Sequence, residues 1–116
     1  MKLVNLKELF KNTKEYAGFV YSIGGAILDI NEPSQVLYRC ENFLLTPEKW
    51  YEERGFVPNV CFPCATIHDS ETGRIALYYG CADSYVGLAF THVDDIVDYI
   101  KAHSVLTWDD TDIGRR

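Results

Sequence analysis

Two cysteines three positions apart, Cys61 and Cys64 in the segment CFPC, are the first candidates for metal or redox chemistry. A zinc ribbon needs a second pair with this spacing, and a thioredoxin-type site needs the pair at the start of a helix. Here Cys40 and Cys81 stand alone, and the residues after Cys64 read ATIHD, which is typical of a strand. Because residues three apart on a strand point to opposite faces, the pattern favours free thiols buried as small apolar side chains. We therefore expect no metal and no bound cofactor.

Asp83 has the most informative surroundings among the titratable residues. It follows YYGCA, lies between two apolar runs and has small neighbours. A carboxylate at a strand end among aromatic rings can accept hydrogen bonds from sugar hydroxyls, while the rings cover the apolar face of the sugar. The same position also suits an aspartate that caps a turn, and the residues alone leave both interpretations open. Most other acids lie in predicted helices or loops, where solvated surface charge is expected, and the three histidines lack the i, i+4 spacing of a metal-binding pair.

The elements that must position these residues are mostly strands. The apolar run that starts at Gly18 and the segment QVLYRC predict a β-hairpin, with NEPS as its turn. Three more strands are predicted in FVPNVCFPCATIHD, RIALYYG and SYVGLAFT, the first of them irregular because proline cannot donate to the ladder. Apolar residues at helical spacing predict one amphipathic helix in residues 3–16 and another in HVDDIVDYIKAH. Thr46 followed by Pro47 predicts the start of a short helix between the hairpin and the last three strands.

Composition and charge narrow the range of partners. The chain has 116 residues, 47% of them hydrophobic, which suffices for one core of ordinary domain size. A net charge of −6 without a cluster of Lys and Arg argues against a nucleic-acid partner, because phosphate binding needs a cationic surface. No apolar run approaches the about 20 residues of a membrane span, and no signal-peptide apolar stretch follows Met1. We expect a cytoplasmic protein without a membrane partner.

Four longer segments resemble the C-terminal part of glycoside hydrolase family 130, the β-mannoside phosphorylases. They are GGAILDINEPSQVLYR, LLTPEKWYEERGFVPNVCFPCATI, GRIALYYGCADSYVGLAFT and VDDIVDYIK. Within the family they are most similar to members that act on 4-O-β-D-mannosyl-D-glucose. The resemblance divides the chain into a poorly matching segment at residues 1–16, the family domain at residues 17–103 and a polar tail at residues 104–116.

The resemblance implies a mainly β fold with a C-terminal helix, as the last one to two blades of a five-bladed β-propeller. Family members split β-mannosides with inorganic phosphate and release α-D-mannose 1-phosphate, together with glucose when mannosyl-glucose is the substrate. Asp83 matches the family acid that holds hydroxyls of the mannose before the cleaved bond. Tyr21 and Phe62 match aromatic positions that line the neighbouring subsite, and Asn59 matches a position that shapes the cavity wall beside them.

The resemblance also implies that catalysis depends on parts of the family fold outside this chain. The proton-donating aspartate and the Arg, Lys and His cluster that binds phosphate lie in earlier blades, so we assign no catalytic residue and expect no activity from this chain alone. The implied partners are a β-mannoside oligosaccharide and a cover for the open strand edges. That cover is either the missing propeller portion or another copy of the chain. The alternative is a non-catalytic carbohydrate-binding or oligomerising module that reuses the same blades.

Overall fold

Residues 2–3 and 19–106, the part of the chain that the computed structural model describes, are mainly β. The strands in chain order are β1 (Lys2–Leu3), β2 (Ala26–Leu28), β3 (Val36–Arg39), β4 (Cys61–Asp69), β5 (Arg74–Cys81) and β6 (Tyr85–His92). The helices of this part are α1 (Trp50–Glu53) and α2 (Val93–Ala102). A chain of strands whose last strand runs into a helix confirms the predicted mainly β class. The helix predicted in residues 3–16 lies outside the described residues, apart from Leu3, which belongs to β1.

A four-stranded sheet in the order β1–β6–β5–β4 is the main element of the fold. β4, β5 and β6 form an antiparallel meander, and β1 pairs with β6 in parallel. In the β4–β5 turn the Asp69 carboxylate accepts hydrogen bonds from the Glu71 N–H (3.1 Å) and the Thr72 hydroxyl (2.8 Å). The Thr72 hydrogen bond, and after it that of Glu71, holds the pKa of Asp69 below its ordinary value. Gly73 ends the turn at φ +74°, a conformation that glycine adopts without a steric penalty.

Strand β4 is irregular, as its sequence predicts. Its pairing with β5 shifts between Pro63 and Ala65, so Cys64 is the extra residue of a β-bulge. β4 also lies at the edge of the sheet, where a residue without an N–H can be accommodated. All the cysteines lie in the described part and are free thiols, but the prediction that they are buried is wrong for Cys64, which the bulge leaves exposed, and only partly right for the half-buried Cys40.

Strands β2 and β3 form the predicted hairpin as a separate two-stranded sheet, against which α2 packs. Gly25 lies where the helix comes close, since a Cβ there would be 2.9 Å from Cδ1 of Ile100. Tyr99 is buried on the same helix and donates its hydroxyl to the Phe43 carbonyl (3.3 Å). No helix in the described residues has the length and apolar character needed to cross a membrane.

The hydrophobic core lies on one face of the main sheet. Its buried members are Ile23, Leu45, Cys61, Tyr79, Cys81 and Ala89. Ile23 and Leu45 lie outside the main sheet, and the N–H of Ile23 donates a hydrogen bond to the carbonyl of Leu45 (2.8 Å). Gly87 of β6 makes room for the largest member, because a Cβ at that position would lie 2.5 Å from Cζ of Tyr79.

The short helix α1 begins three residues later than the sequence predicts. Thr46 does not cap it, and its hydroxyl is hydrogen-bonded to the Ser22 hydroxyl (2.8 Å). Lys49 is the N-cap residue, and its N–H donates to the Glu52 carboxylate (2.8 Å). An N-cap side chain usually accepts hydrogen bonds from N–H groups at the start of a helix. Here the side chain of Glu52, within the helix, is the acceptor, so the start predicted from Thr46 and Pro47 is wrong.

Candidate functional site

The residues predicted to contact sugar lie at one end of the main sheet, around the start of β4 and the end of β5. They are Tyr21, Asn59, Phe62 and Asp83. The Tyr21 N–H donates to the Asn59 carbonyl (3.0 Å), and the Cys61 N–H donates to the Tyr21 carbonyl (2.8 Å). The Ala82 N–H, next to Asp83, donates to the carbonyl of Val60 (2.9 Å). Three chain segments that are distant in sequence therefore meet at this end of the sheet.

Tyr21 and Phe62 present aromatic rings on the side of the sheet opposite the core. Tyr21 pairs with Val60 in a parallel bridge, and Phe62 follows two residues later, so the alternation of an extended chain places all three side chains on one face. Cys61 between them is 2% exposed, whereas Tyr21 is 56% and Phe62 is 64% exposed. Opposite Phe62 on β5 is Gly80, which has no side chain to cover the ring. Both rings are accessible to a ligand.

The turn that carries Asp83 has an uncommon backbone. Ala82 and Asp83 have φ values of 50° and 53°, and the Ser84 N–H donates to the Cys81 carbonyl (3.0 Å). Two successive residues in the left-handed region resemble a type I′ turn, in which Gly, Asn and Asp are preferred and alanine is not. Asn59, on the neighbouring segment, also has a positive φ of 59°. For alanine such a conformation costs about 1–3 kcal/mol, whereas Asn and Asp adopt it more readily, and strained backbone of this kind clusters at functional sites.

Loop 55–59 packs directly on this turn through its backbone. A Cβ at Gly55 would lie 2.5 Å from the carbonyl oxygen of Ala82, so only glycine permits this approach. The Phe56 N–H donates to the Ser84 hydroxyl oxygen (2.8 Å), and the Val57 N–H donates to the Ala82 carbonyl (3.1 Å). The loop and the turn are therefore fixed to each other, and with them Asn59 and Asp83.

Beneath the site lies a buried carboxylate, Glu52, although the sequence predicts a solvated surface acid at this position. The side chain is 0% exposed. Its Oε2 accepts hydrogen bonds from the Tyr79 hydroxyl (2.6 Å) and the Cys61 thiol (3.6 Å), and its Oε1 accepts them from the N–H groups of Lys49 (2.8 Å) and Glu48 (3.2 Å). Every one of these contacts donates to the carboxylate, which suits an ionised, acceptor-only group. A glutamate three residues after the N-cap residue is the sequence signature of a capping box. Glu52 does not fall at that position when the N-cap is predicted at Thr46.

Tyr79 remains a hydrogen-bond donor to this carboxylate over the ordinary pH range. Its burial, and after that its hydrogen bond to Glu52 and the charge of Glu52, raise the pKa of the phenol far above the ordinary value. A protonated phenol next to a carboxylate makes a charge-assisted hydrogen bond, which is shorter and stronger than a neutral one.

Tyr21, Phe62 and Asp83 together offer the groups that carbohydrate recognition needs. The exposed rings can cover the apolar face of a sugar, and the exposed Asp83 carboxylate can accept hydrogen bonds from its hydroxyls. The CFPC pair does not converge, because Cys61 lies in the core and Cys64 is exposed. Within residues 2–3 and 19–106, no three His, Cys, Asp or Glu side chains are grouped so that they could hold a metal ion. The arrangement can bind and orient a sugar, and the individual roles of the four residues stay predictions.

Comparison with known proteins gives one family for this sequence and fold. The model of glycoside hydrolase family 130, described as β-1,4-mannooligosaccharide phosphorylase, matches residues 6–102. A β-1,4-mannooligosaccharide phosphorylase of Ruminococcus albus is 62% identical over 87 residues, which are 75% of this chain and 26% of that protein. A 1,2-β-oligomannan phosphorylase of Thermoanaerobacter sp. is 39% identical over 77 residues, which are 66% of this chain and 25% of that protein.

The structure has a similar solved counterpart. The β-1,2-mannobiose phosphorylase from Listeria innocua, solved in complex with β-1,2-mannobiose, matches with a TM-score of 0.64 and 33% sequence identity. The match covers 70% of this chain and 22% of the Listeria chain. This chain therefore spans about a quarter of the length of the relatives that it matches.

Proposed function

Because this chain belongs to glycoside hydrolase family 130, we propose that it forms the C-terminal, mannoside-contacting part of a β-mannoside phosphorylase. The observation that carries the proposal is the convergence of Tyr21, Phe62 and Asp83, all exposed, at one end of the main sheet. The proton donor and the groups that bind inorganic phosphate belong to the remaining polypeptide of the enzyme. This chain by itself contributes binding and orientation of the sugar.

The proposed substrate is a 4-O-linked β-mannoside, which phosphate cleaves to α-D-mannose 1-phosphate and a free sugar. The relative that is 62% identical is named for β-1,4-mannooligosaccharides, and those named for β-1,2 linkages are 32–40% identical, so the likeness favours the 1,4 linkage. The sequence resemblance predicts glucose as the released sugar, from 4-O-β-D-mannosyl-D-glucose. The name of the Ruminococcus relative favours mannose. Initial rates of the full enzyme on the two disaccharides would decide between these acceptors.

The proposed roles follow from the position of each side chain. Asp83 accepts hydrogen bonds from hydroxyls of the mannose that is transferred, since its carboxylate is exposed at the tip of the β5–β6 turn. Tyr21 and Phe62 contact the apolar face of the neighbouring sugar, since both rings are open on the same face. Asn59 shapes the wall of the cavity through its left-handed backbone, which turns the chain into β4.

An exposed apolar surface on the main sheet fits the proposal that a larger β-propeller surrounds this chain. Register places Ile67, Tyr78 and Val86 on the face opposite the core, and we call these three residues the open face, whereas Phe62, on the same side, belongs to the sugar-contacting end of the sheet. Each of them is exposed, Val86 to 78%. Apolar side chains grouped in this way usually mark an interaction surface. We propose that a neighbouring propeller blade of the same enzyme covers the open face.

Titration of the purified chain with β-1,4-mannobiose, followed by NMR of backbone amides, tests the binding role. We expect shifts confined to the amides around Tyr21, Phe62 and Asp83, and no mannose 1-phosphate when phosphate is added. Cellobiose is the matched control ligand, because it has the same linkage and differs in the configuration of the 2-hydroxyl groups. The absence of shifts at these amides would contradict the binding role, and release of mannose 1-phosphate would contradict the placement of the catalytic groups elsewhere.

The open face also favours a second candidate, a non-catalytic carbohydrate-binding or oligomerising module. In that case the face is covered by another copy of the chain. This candidate predicts a defined oligomer that binds mannosides and that cannot replace the corresponding part of an active phosphorylase.

A further inference from the structure

The buried pair formed by Glu52 and Tyr79 joins the segments that carry the residues predicted to contact sugar. The carboxylate of Glu52 belongs to α1, and the phenol of Tyr79 belongs to β5. Their hydrogen bond of 2.6 Å is shorter than an ordinary one between neutral groups. We propose that Glu52 and Tyr79 are positioning residues that set the distance between Asp83 and the aromatic rings, an inference that rests on the proposed function.

On one side, Glu52 holds the segment that leads into β4. The main-chain carbonyl of Glu52 accepts the Val60 N–H (3.2 Å), and that of Glu53 accepts the Asn59 N–H (3.3 Å). Oε2 of Glu52 also accepts the thiol of Cys61 (3.6 Å), the residue before Phe62. The backbone and the side chain of Glu52 therefore hold Val60 and Cys61, the two positions ahead of the Phe62 ring, and the backbone of Glu53 holds Asn59 before them.

On the other side, Tyr79 holds the strand that ends in the aspartate turn. Tyr79 is fully buried and lies two residues before Cys81, where β5 ends. Its ring fills the space that Gly87 leaves on β6, so β5 cannot slide without displacing the phenol from Glu52. The Ala82 N–H of the turn donates to the Val60 carbonyl (2.9 Å), and Val60 is itself bound to Glu52. The contacts therefore form a continuous series from Glu52 through Tyr79 to the turn and back to Glu52.

The chemistry of the pair explains why a polar contact is used at this position. A buried carboxylate is costly unless donors satisfy both oxygens, and here two N–H groups, a hydroxyl and a thiol do so. Hydrogen bonds have a preferred length and direction, whereas apolar contacts tolerate sliding. Removal of the phenol hydroxyl should therefore loosen the relative position of the two segments, in addition to lowering stability.

Tyr79→Phe in the full chain tests the proposal, with Tyr38→Phe in the two-stranded sheet as the matched loss of a phenol hydroxyl elsewhere. The probe is β-1,4-mannobiose, and the dissociation constant is taken from amide shifts of the folded protein, so that a smaller folded fraction does not affect it. We expect Tyr79→Phe to raise this constant about fivefold, the equivalent of one hydrogen bond. We also expect faster hydrogen exchange at the Val60 and Ala82 amides, while Tyr38→Phe changes neither quantity.

A second variant, Glu52→Gln, separates positioning from charge. The amide oxygen can still accept the Lys49 N–H and the amide nitrogen can donate to the Tyr79 oxygen, so we expect a smaller rise in the dissociation constant than for Tyr79→Phe. An unchanged dissociation constant in Tyr79→Phe would overturn the positioning role and leave the proposed function standing. If the wild-type chain shows no mannobiose shifts at all, the proposed function fails, and the positioning role fails with it.

Discussion

At the scale of single residues, Asp83 is the side chain on which the proposed sugar contact depends most. Asp83→Asn keeps the size of the side chain and the preference for a left-handed turn, but it removes the charge. We expect mannoside binding to weaken by about 10-fold, since hydrogen bonds to a charged group contribute about 1.5–3 kcal/mol. NMR titration gives the dissociation constant, and Asp95→Asn on the exposed surface of α2 is the control. Equal affinities for wild type and Asp83→Asn would show that Asp83 only caps its turn.

Truncation of Phe62 should weaken mannoside binding while changing the stability of the fold only slightly. Its ring is 64% exposed, so Phe62→Ala removes little buried apolar surface and should lower the free energy of unfolding by about 1 kcal/mol or less. Mannoside affinity should fall several-fold, because the ring no longer covers the sugar. Urea unfolding and titration of the same preparation measure the two effects.

The control for Phe62→Ala is Ile30→Ala, which also truncates an exposed apolar side chain but lies at the tip of the β2–β3 hairpin. It should leave both quantities unchanged. A large loss of stability in Phe62→Ala together with unchanged affinity would assign the ring to packing.

At the residue scale, the sequence predicts an exposed turn position better than a polar side chain that is buried against the usual preference of its type. The sequence marks Asp83 because small and apolar neighbours set it apart, and the structure does place it at an exposed turn. Glu52 could not be recognised in the same way, because its donors come from Tyr79 and Cys61, which are distant in sequence. Tertiary hydrogen bonds of this kind leave no local pattern.

At the scale of elements, the contact between loop 55–59 and the aspartate turn gives a sharp test. Gly55→Ala places a Cβ 2.5 Å from the Ala82 carbonyl oxygen and 2.6 Å from the Ser84 hydroxyl oxygen, so the loop must move away from the turn. We expect a lower melting temperature and weaker mannoside binding. Gly24→Ala is the matched control, because a Cβ there has no atom within 4 Å. If the two variants melt and bind alike, the close approach has no role in holding the site.

Element-level prediction located β3 to β6 and α2, but it missed β1, made the first strand of the hairpin longer than the observed β2 and misplaced the start of α1. Alternation and turn residues located the β2–β3 hairpin, the irregular β4 and the β4–β5 turn, because each of these depends on residues close in sequence. The start of α1 was misplaced, since its free N–H groups are satisfied by Glu52 rather than by Thr46. The left-handed backbone at Ala82 was not predicted, because alanine seldom adopts it and the contacts with loop 55–59 stabilise it there.

At the scale of the whole molecule, the open face determines how the isolated chain behaves. We expect the purified chain to self-associate through this face, and Val86→Lys to shift it toward the monomer, because a charge at a buried apolar contact is costly. Light scattering coupled to gel filtration measures the mass. Ile30→Lys, at a side chain that is 92% exposed and outside the open face, is the control. A wild-type chain that stays monomeric at high concentration would contradict this use of the open face.

A chain that supplies the mannoside-contacting part of a β-mannoside phosphorylase should function in the place of the matching part of a relative. The most direct measurement replaces the matching 87-residue region of the Ruminococcus albus enzyme with that of this chain and assays release of mannose 1-phosphate from β-1,4-mannobiose and phosphate. We predict an active chimera whose KM for mannobiose rises when Asp83→Asn is introduced, while its KM for phosphate stays the same. A chimera that folds but releases no mannose 1-phosphate would contradict the claim and favour the non-catalytic module.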